Sequence, residues 1–281
     1  MKLKRLTSFI GLTIAATFSV FVIAGCGGSQ NQPQSASSST EKTYTVATRG
    51  TFRPVTYVDD KGNLTGFDVE VLKEIDRRDP TIKFNFKPMA IDAAFVAMDA
   101  NQVDIIANQM RHTKARDEKY IYNKGVINYT VRKLVVKNDR SDINSLDDLQ
   151  GKKIAVTTNG DLKKIVEDYN KTASTPIETI FTDKGSVETL NLVLTGRADA
   201  AGEYVYTSQS AIDNQKYPLK IVGPTLRVFS THWILKKDDE HQQLADKLDK
   251  DLEELRKDGT LKKLSEQYLG ADYSIKPADA N

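Results

Sequence analysis

Twice along this chain, short apolar runs of strand type alternate with segments whose apolar residues recur every three or four positions. That rhythm fits layered α/β units and little else. Tyr44 to Ala47 reads as a strand, a helix from Asp68 carries Val71, Leu72 and Ile75 on its apolar face, and Lys83 to Phe86 is the next strand. Asp92 stands where it would cap a short helix burying Ala94, Phe95 and Met98. Val103 to Ala107 follows as the nearly continuous apolar run expected of a strand covered on both faces. The pattern restarts at Ser145 to Leu149 with a capped helical turn, then a strand from Lys153 to Val156. Asp161 is expected to cap a helix with Ile165, Val166 and Tyr169 inside. Ser186 opens another helix, closed by Gly196, and Ala198 to Ala201 is the strand after it. The last stretch is helical, with Leu244, Leu248, Leu252 and Leu255 on one stripe and Leu261, Leu264 and Tyr268 beyond Gly259. Having no strand of their own, these helices must pack on one of the two units.

The beginning of the chain carries a different signal. Lys2, Lys4 and Arg5 precede an uncharged run from Ile10 to Ile23, the build of a secretory signal peptide over residues 1–25. The run ends Ile23-Ala24-Gly25-Cys26, which resembles a bacterial lipobox with Cys26 as the lipidated thiol. Cys26 is the only cysteine, so an intramolecular disulfide is excluded. Residues 26–42 are rich in Gly, Ser and Gln and read as a flexible tether. Losing the three basic residues of the signal would take the formal net charge from +2 to −1, which argues against a nucleic-acid partner.

The three histidines, His112, His232 and His241, stand at neither metal-ligand nor catalytic-triad spacing, and no glycine-rich phosphate loop appears. No catalytic residue, metal or cofactor is expected. The segment from Ile105 to Arg116 is the exception to this blandness, because an apolar strand runs directly into Asn108-Gln109-Met110-Arg111-His112-Thr113-Lys114-Ala115-Arg116. Such strand ends are where α/β folds hold ligands.

Here the sequence resembles the polar amino-acid solute-binding proteins of ABC importers, extracellular solute-binding family 3. Thr113 and Arg116 match that family's Thr-x-x-Arg, and Asn108-Gln109 has the form of its cystine-binding branch. Gly50-Thr51-Phe52-Arg53-Pro54, Gly62-Asn63-Leu64-Thr65-Gly66-Phe67-Asp68, Gly151-Lys152-Lys153-Ile154-Ala155-Val156, Asp258-Gly259-Thr260-Leu261 and Tyr268-Leu269-Gly270 match further family motifs. The resemblance implies a two-lobe, periplasmic-binding-protein-like (type II) fold, each lobe a mixed sheet flanked by helices. Two hinge crossovers, near Val131 to Val136 and Phe229 to Ile234, would join lobe 1 (43–133 plus 231–270) to lobe 2 (134–230), leaving a tail at 271–281. It also implies a function: capture of cystine or a related polar amino acid by lobe closure and delivery to an ABC permease. The carrier would be a monomeric lipoprotein whose acyl chains, palmitate among them, hold it on the extracytoplasmic face of the cell membrane. An enzyme on the same scaffold, dehydratase-like, and a surface adhesin are the alternatives, and Glu203 is the acid an enzyme would use.

By the same resemblance Arg116 forks the ligand's α-carboxylate, Gln109, Arg111 and Thr113 share its loop, and Phe52 forms a flat wall. Thr157, Asn159 and Asp161 bind from the start of a helix on the second lobe. The sequence departs from the family at Ile91, where an aromatic is usual, at Arg111, where a hydroxyl residue is usual, and at Gly125-Val126, where Pro-Tyr is usual. Tyr204 stands where an aspartate usually meets the ligand ammonium. Glu203 is the favoured replacement, with Tyr204 itself or a ligand lacking a free amine as the other readings. The lipobox reading has a direct check: Cys26→Ser should leave soluble protein or unprocessed precursor on cell fractionation, whereas a mutant fully processed and membrane-bound would exclude thiol-linked anchoring.

Overall fold

A computed structural model describes residues 41–158 and 160–278, so the signal segment, Cys26 and Asn159 lie outside the described residues. The chain opens with β1 (Lys42–Thr48), then three short strands, β2 (Thr51–Phe52), β3 (Thr56–Val58) and β4 (Leu64–Thr65). α1 (Phe67–Arg78), β5 (Ile82–Pro88), α2 (Ile91–Asp99), β6 (Ile105–Met110), α3 (Lys114–Asp117) and β7 (Tyr120–Tyr122) follow. The middle of the chain supplies β8 (Tyr129–Lys137), β9 (Lys153–Thr157), α4 (Asp161–Asn170), β10 (Glu178–Thr182), α5 (Ser186–Leu194), β11 (Ala200–Tyr204), α6 (Val205–Gln215) and β12 (Leu219–Ser230). β13 (His232–Lys236), α7 (Asp239–Lys257) and α8 (Thr260–Leu269) complete it.

Two five-stranded mixed sheets result, ordered β5-β1-β6-β13-β7 and β10-β9-β11-β8-β12. In each, four strands run in one direction and one, β13 or β8, runs against them between its two neighbours. Strand periodicity explains the layering. In β6, Ile105 and Ala107 pack under α1, α7 and α8, while Ile106 faces the cluster around α2. In β8 and β9, Leu134, Val136, Ile154 and Val156 face α4, and Val135 and Ala155 face α5 and α6. Every second residue thus belongs to a different core.

Two glycines fix helix entries. Gly66 precedes α1 at φ 112°, and a Cβ there would lie 2.5 Å from the Val55 carbonyl. Gly202 of β11 leaves room for Leu162, whose Cδ2 would stand 2.6 Å from an added Cβ, so α4 can seat on the sheet.

Several sequence expectations shift. Ala90 and Gly160, not Asp92 and Asp161, are the N-cap residues of α2 and α4, and neither acid bonds its own helix end. Asn108 and Gln109 lie within β6 rather than in the following loop. Residues 131–136 are interior to β8, which pairs with β12 from Tyr129 to Lys137, so a lobe boundary at 133/134 falls inside that strand. The chain passes between sheets at 123–128 and again at Thr231. Residues 273 and 274 of the expected tail are bonded to the fold: Tyr129 N donates to Tyr273 O at 2.8 Å, and Arg256 donates to Ser274 O.

α7 is fastened both by its leucine stripe and by a buried imidazole. His241 donates to Asp238 Oδ1 at 2.6 Å and to Asp104 Oδ1 at 3.2 Å, while Asp104 also accepts from Thr45 N. Burial pulls the His241 pKa down, but the bonds to Asp104 and Asp238 more than offset it, leaving it above the ordinary 6.5. A raised folded-state value means the stabilisation is fully present below about pH 6.5 and is lost as pH rises through the folded pKa. The melting temperature of wild type relative to His241→Gln should therefore fall from pH 6 toward pH 8, and a constant difference would remove the imidazolium from the account. Leu248, fully buried in the same cluster, should cost about 2 to 5 kcal/mol on Leu248→Ala, read as a lower urea midpoint at unchanged slope.

Candidate functional site

The C-terminal ends of the parallel strands in both sheets face one another, and the side chains that meet there come from both. Phe52 of β2 lies with its ring centroid 6.3 Å from that of Tyr204 at the end of β11. Tyr204 stacks on Tyr206 at 5.7 Å and meets Phe229 of β12 edge-on at 5.9 Å. Beneath them Arg132 of β8, directly opposite Tyr204 in the strand register, lays its guanidinium 4.4 Å over the Tyr204 ring. Its Nη1 donates to Gly202 O and its Nη2 stands 3.0 Å from Asp161 Oδ1. Burial works against the charge on Arg132, but Tyr204, Glu203 and Asp161 outweigh it and its pKa is raised further. Burial also raises the Tyr204 hydroxyl, so it stays protonated.

The other sheet reaches this cluster through Arg111. Its Nη1 is 3.7 Å from Asp161 Oδ2, and its guanidinium carbon is 5.6 Å from the Phe229 ring. Asp161 is thus shared by two arginines from opposite lobes. Arg132 Nε and Asp161 Oδ2 are buried with no hydrogen-bond partner among the described residues.

Gln109, expected to touch ligand, is instead spent on the frame. Its backbone N–H and its Nε2 donate to the two oxygens of Asp68 at 2.7 and 2.6 Å. Nε2 and Oε1 also pair with the amide of Asn128, and Tyr206 donates to Oε1 at 3.1 Å. An amide has two N–H groups and two lone pairs, so nothing remains for a solute. Burial pushes the Asp68 carboxyl up to about 6 even though the Gln109 N–H groups pull it down.

Glu203 is the clearest correction. Adjacent strand residues face opposite sides, and with Tyr204 in the cleft Glu203 points toward α5, accepting from Ser186 Oγ at 2.7 Å and Thr189 Oγ1 at 2.6 Å. It is buried and each of its oxygens accepts a hydroxyl of α5, so in this structure it is turned away from Tyr204 and the cleft.

Arg116 extends from α3 over the Phe95 ring at 4.9 Å, and its Nη1 donates to the Arg111 carbonyl at 3.4 Å. Tyr122 donates to the same carbonyl at 3.0 Å. Thr113 is the N-cap residue of α3, its carbonyl accepting from the N–H groups of Arg116 and Asp117. Thr157 closes β9, with Gly160 N donating to its carbonyl at 3.0 Å. Arg116 and Arg111 are therefore joined through a backbone carbonyl, while Arg111 alone of the two contacts Asp161.

Arg132, Phe229 and Tyr206 were missed from the sequence. The signal for Arg132 was there: it continues the alternating row Leu134 and Val136 that packs under α4, and a charge on a buried row needs a partner. Phe229 and Tyr206 have no comparable signal, since one sits on a strand and the other on a helix, as core aromatics also do.

Residues 44–271 match the sequence pattern of the bacterial extracellular solute-binding proteins, family 3. The chain is 34% identical over 274 residues to the L-cystine-binding protein TcyK of Bacillus subtilis, covering 97% of this chain and 98% of that protein. The solved structure of the probable amino-acid ABC transporter extracellular-binding protein ytmK of Bacillus subtilis is similar at TM-score 0.77 and 34% identity, over 83% of this chain and 100% of that one. A Streptococcus mutans structure, from work on glutathione import via GshT and the cystine importer TcyBC, is similar at TM-score 0.74 and 29% identity, over 85% and 100% of the two chains. With the two-sheet architecture and the shared pattern spanning most of its length, this chain belongs to the bacterial extracellular solute-binding proteins of family 3.

Proposed function

We propose that the protein captures a small polar amino acid or amino-acid derivative, cystine or a chemical relative, between its two lobes and hands it to an ABC permease. Cys26 carries the lipid that keeps it on the extracytoplasmic face of the membrane, and the protein works as a monomer. One observation carries the capture reading. Charged and aromatic groups from both sheets, Arg111 and Phe52 on one side and Arg132, Asp161 and Tyr204 on the other, converge on the strand ends where open α/β sheets hold ligands. Relatives named as cystine-binding proteins favour the amino-acid class. Among the described residues no helix is long and apolar enough to cross a membrane and no cluster of three metal-ligating side chains occurs.

In this reading Arg116 forks the solute's carboxylate, bidentate as a planar guanidinium allows. Thr113 and Thr157 flank that carboxylate, as does Asn159, which is outside the described residues. Moving Arg116 from the Phe95 face to a ligand exchanges a cation–π contact, worth about 0.5 to 2 kcal/mol, for a stronger charged pair. Mass spectrometry of solute released from protein purified without refolding identifies what the cleft retains. Arg116→Ala should weaken binding by roughly a hundredfold or more, the consequence of leaving a buried carboxylate without its partner at about 3 to 5 kcal/mol. The melting temperature of the empty protein should stay within a few degrees of wild type. Unchanged affinity by calorimetry would take Arg116 out of the site.

A further inference from the structure

The amine end of the cleft is built for something other than an ammonium group. Among the described residues Asp161 is the one carboxylate that the Phe52, Tyr204 and Arg132 cluster engages through its oxygens, and it is already paired with Arg132 at 3.0 Å and faced by Arg111 at 3.7 Å. Two guanidiniums thus share that one carboxylate as contact partner, while the Glu203 charge acts on Arg132 from the other face of the strand. Glu203 is turned to Ser186 and Thr189, and Asp68 is closed off by Gln109. Two of the aromatic rings that could attract an ammonium already meet a cation, Tyr204 with Arg132 and Phe229 with Arg111. A zwitterion would bring a third cation to a place whose one contacting carboxylate is already shared by two arginines.

What the cluster lacks is specific. Arg132, with its side chain 6% exposed, holds a buried Nε–H with no acceptor, and Asp161, 9% exposed, holds a buried Oδ2 with no donor. The missing groups are one neutral N–H and one carbonyl oxygen, which is the composition of an amide. Resting on the capture reading above, we propose that the preferred solute is an N-acylated amino acid, its amide N–H donating to Asp161 Oδ2 and its acyl oxygen accepting from Arg132 Nε. Its carboxylate goes to the arginines of the 111–116 loop. Such a solute carries a net negative charge and satisfies both orphaned atoms while adding no cation. A free amino acid whose carboxylate lies at the 111–116 loop has only its ammonium to offer here, and so leaves Arg132 Nε without an acceptor.

The test uses matched pairs on the full-length chain purified in mild detergent: L-cystine with N,N′-diacetyl-L-cystine, L-methionine with N-acetyl-L-methionine, and L-glutamine with N-acetyl-L-glutamine. Calorimetry and thermal shift are read on wild type and on Arg111→Gln, a substitution at a side chain about one-third exposed. The expected result is at least one pair in which the acetylated member binds wild type tenfold or more tighter than the free amino acid. That preference should narrow severalfold in Arg111→Gln, because one of the two repelling cations is gone. Free amino acids binding as tightly as, or more tightly than, their acetylated partners would overturn this inference and leave solute capture standing. A preference undiminished in Arg111→Gln, at unchanged melting temperature of the empty protein, would overturn its electrostatic basis. No binding of either member of any pair by a cooperatively melting protein would overturn capture of amino-acid solutes, and this inference with it.

Discussion

A charged guanidinium held inside the fold, Arg132, organises what surrounds it. Removing a charge from water costs several kcal/mol unless partners replace the solvent, and the chain supplies them from three directions: Asp161 at the start of α4, the Gly202 carbonyl on β11 and the face of Tyr204. Each partner has a local cause. Asp161 reaches Arg132 because α4 sits directly on the sheet, and α4 sits there because Gly202 has no side chain to keep Leu162 away. Tyr204 reaches it because strand register sets the two residues opposite one another. The same register turns Glu203 to the other face, toward hydroxyl groups of α5.

The crossovers are held by a second polar network, and it is nearly closed. Asn128 and Gln109 pair amide to amide, Thr231 Oγ1 donates to Asn128 Oδ1 at 2.5 Å, and Asp68 receives the two N–H groups of Gln109. On the first passage Asn123 accepts from Trp233 N at 2.8 Å through its side chain and from His232 Nδ1 at 3.0 Å through its carbonyl, so the two passages bond directly to each other. Burial and the neighbouring His112 both lower the His232 pKa, which keeps that ring neutral near pH 7 and able to accept from Ser230 Oγ. Polar groups paired this fully act as a rigid pivot, and motion is left to the lobes on either side.

Where a residue's role is set by period, the sequence disclosed it. The strands and helices read from spacing and the α7 leucine stripe are present, with ends that differ by up to three residues. Roles set by what stands opposite in space were not legible. Gln109 looked like a solute contact because it ends an apolar strand, yet Asp68, 41 positions earlier, claims its N–H groups. Glu203 looked available because a carboxylate was wanted near Tyr204, but which neighbour of a strand pair faces the cleft depends on the register with β8. Arg132 lay in a run otherwise apolar enough to read as plain core, and its importance comes from Asp161, 29 positions later in another element.

These geometries bear on what closure of the lobes draws its energy from. A ligand shifts an open-to-closed equilibrium only by the difference in its affinity for the two states. In this structure the lobes touch through Arg111 and Asp161, but at 3.7 Å, beyond hydrogen-bond range, and with Arg111 about one-third exposed. A pair of that kind contributes little, of order 0 to 1 kcal/mol, and surrenders Arg111 readily to another anion. The larger reserve lies in Arg132 Nε and Asp161 Oδ2, buried without partners, where each unmade hydrogen bond leaves a desolvation cost of about 1 to 3 kcal/mol. Opening the lobes would let water relieve that cost, and a solute that met both atoms would relieve it with the lobes shut. A pair of orphaned atoms met in this way would penalise the empty closed form and favour the filled one, which is the differential affinity that lobe closure on a solute requires.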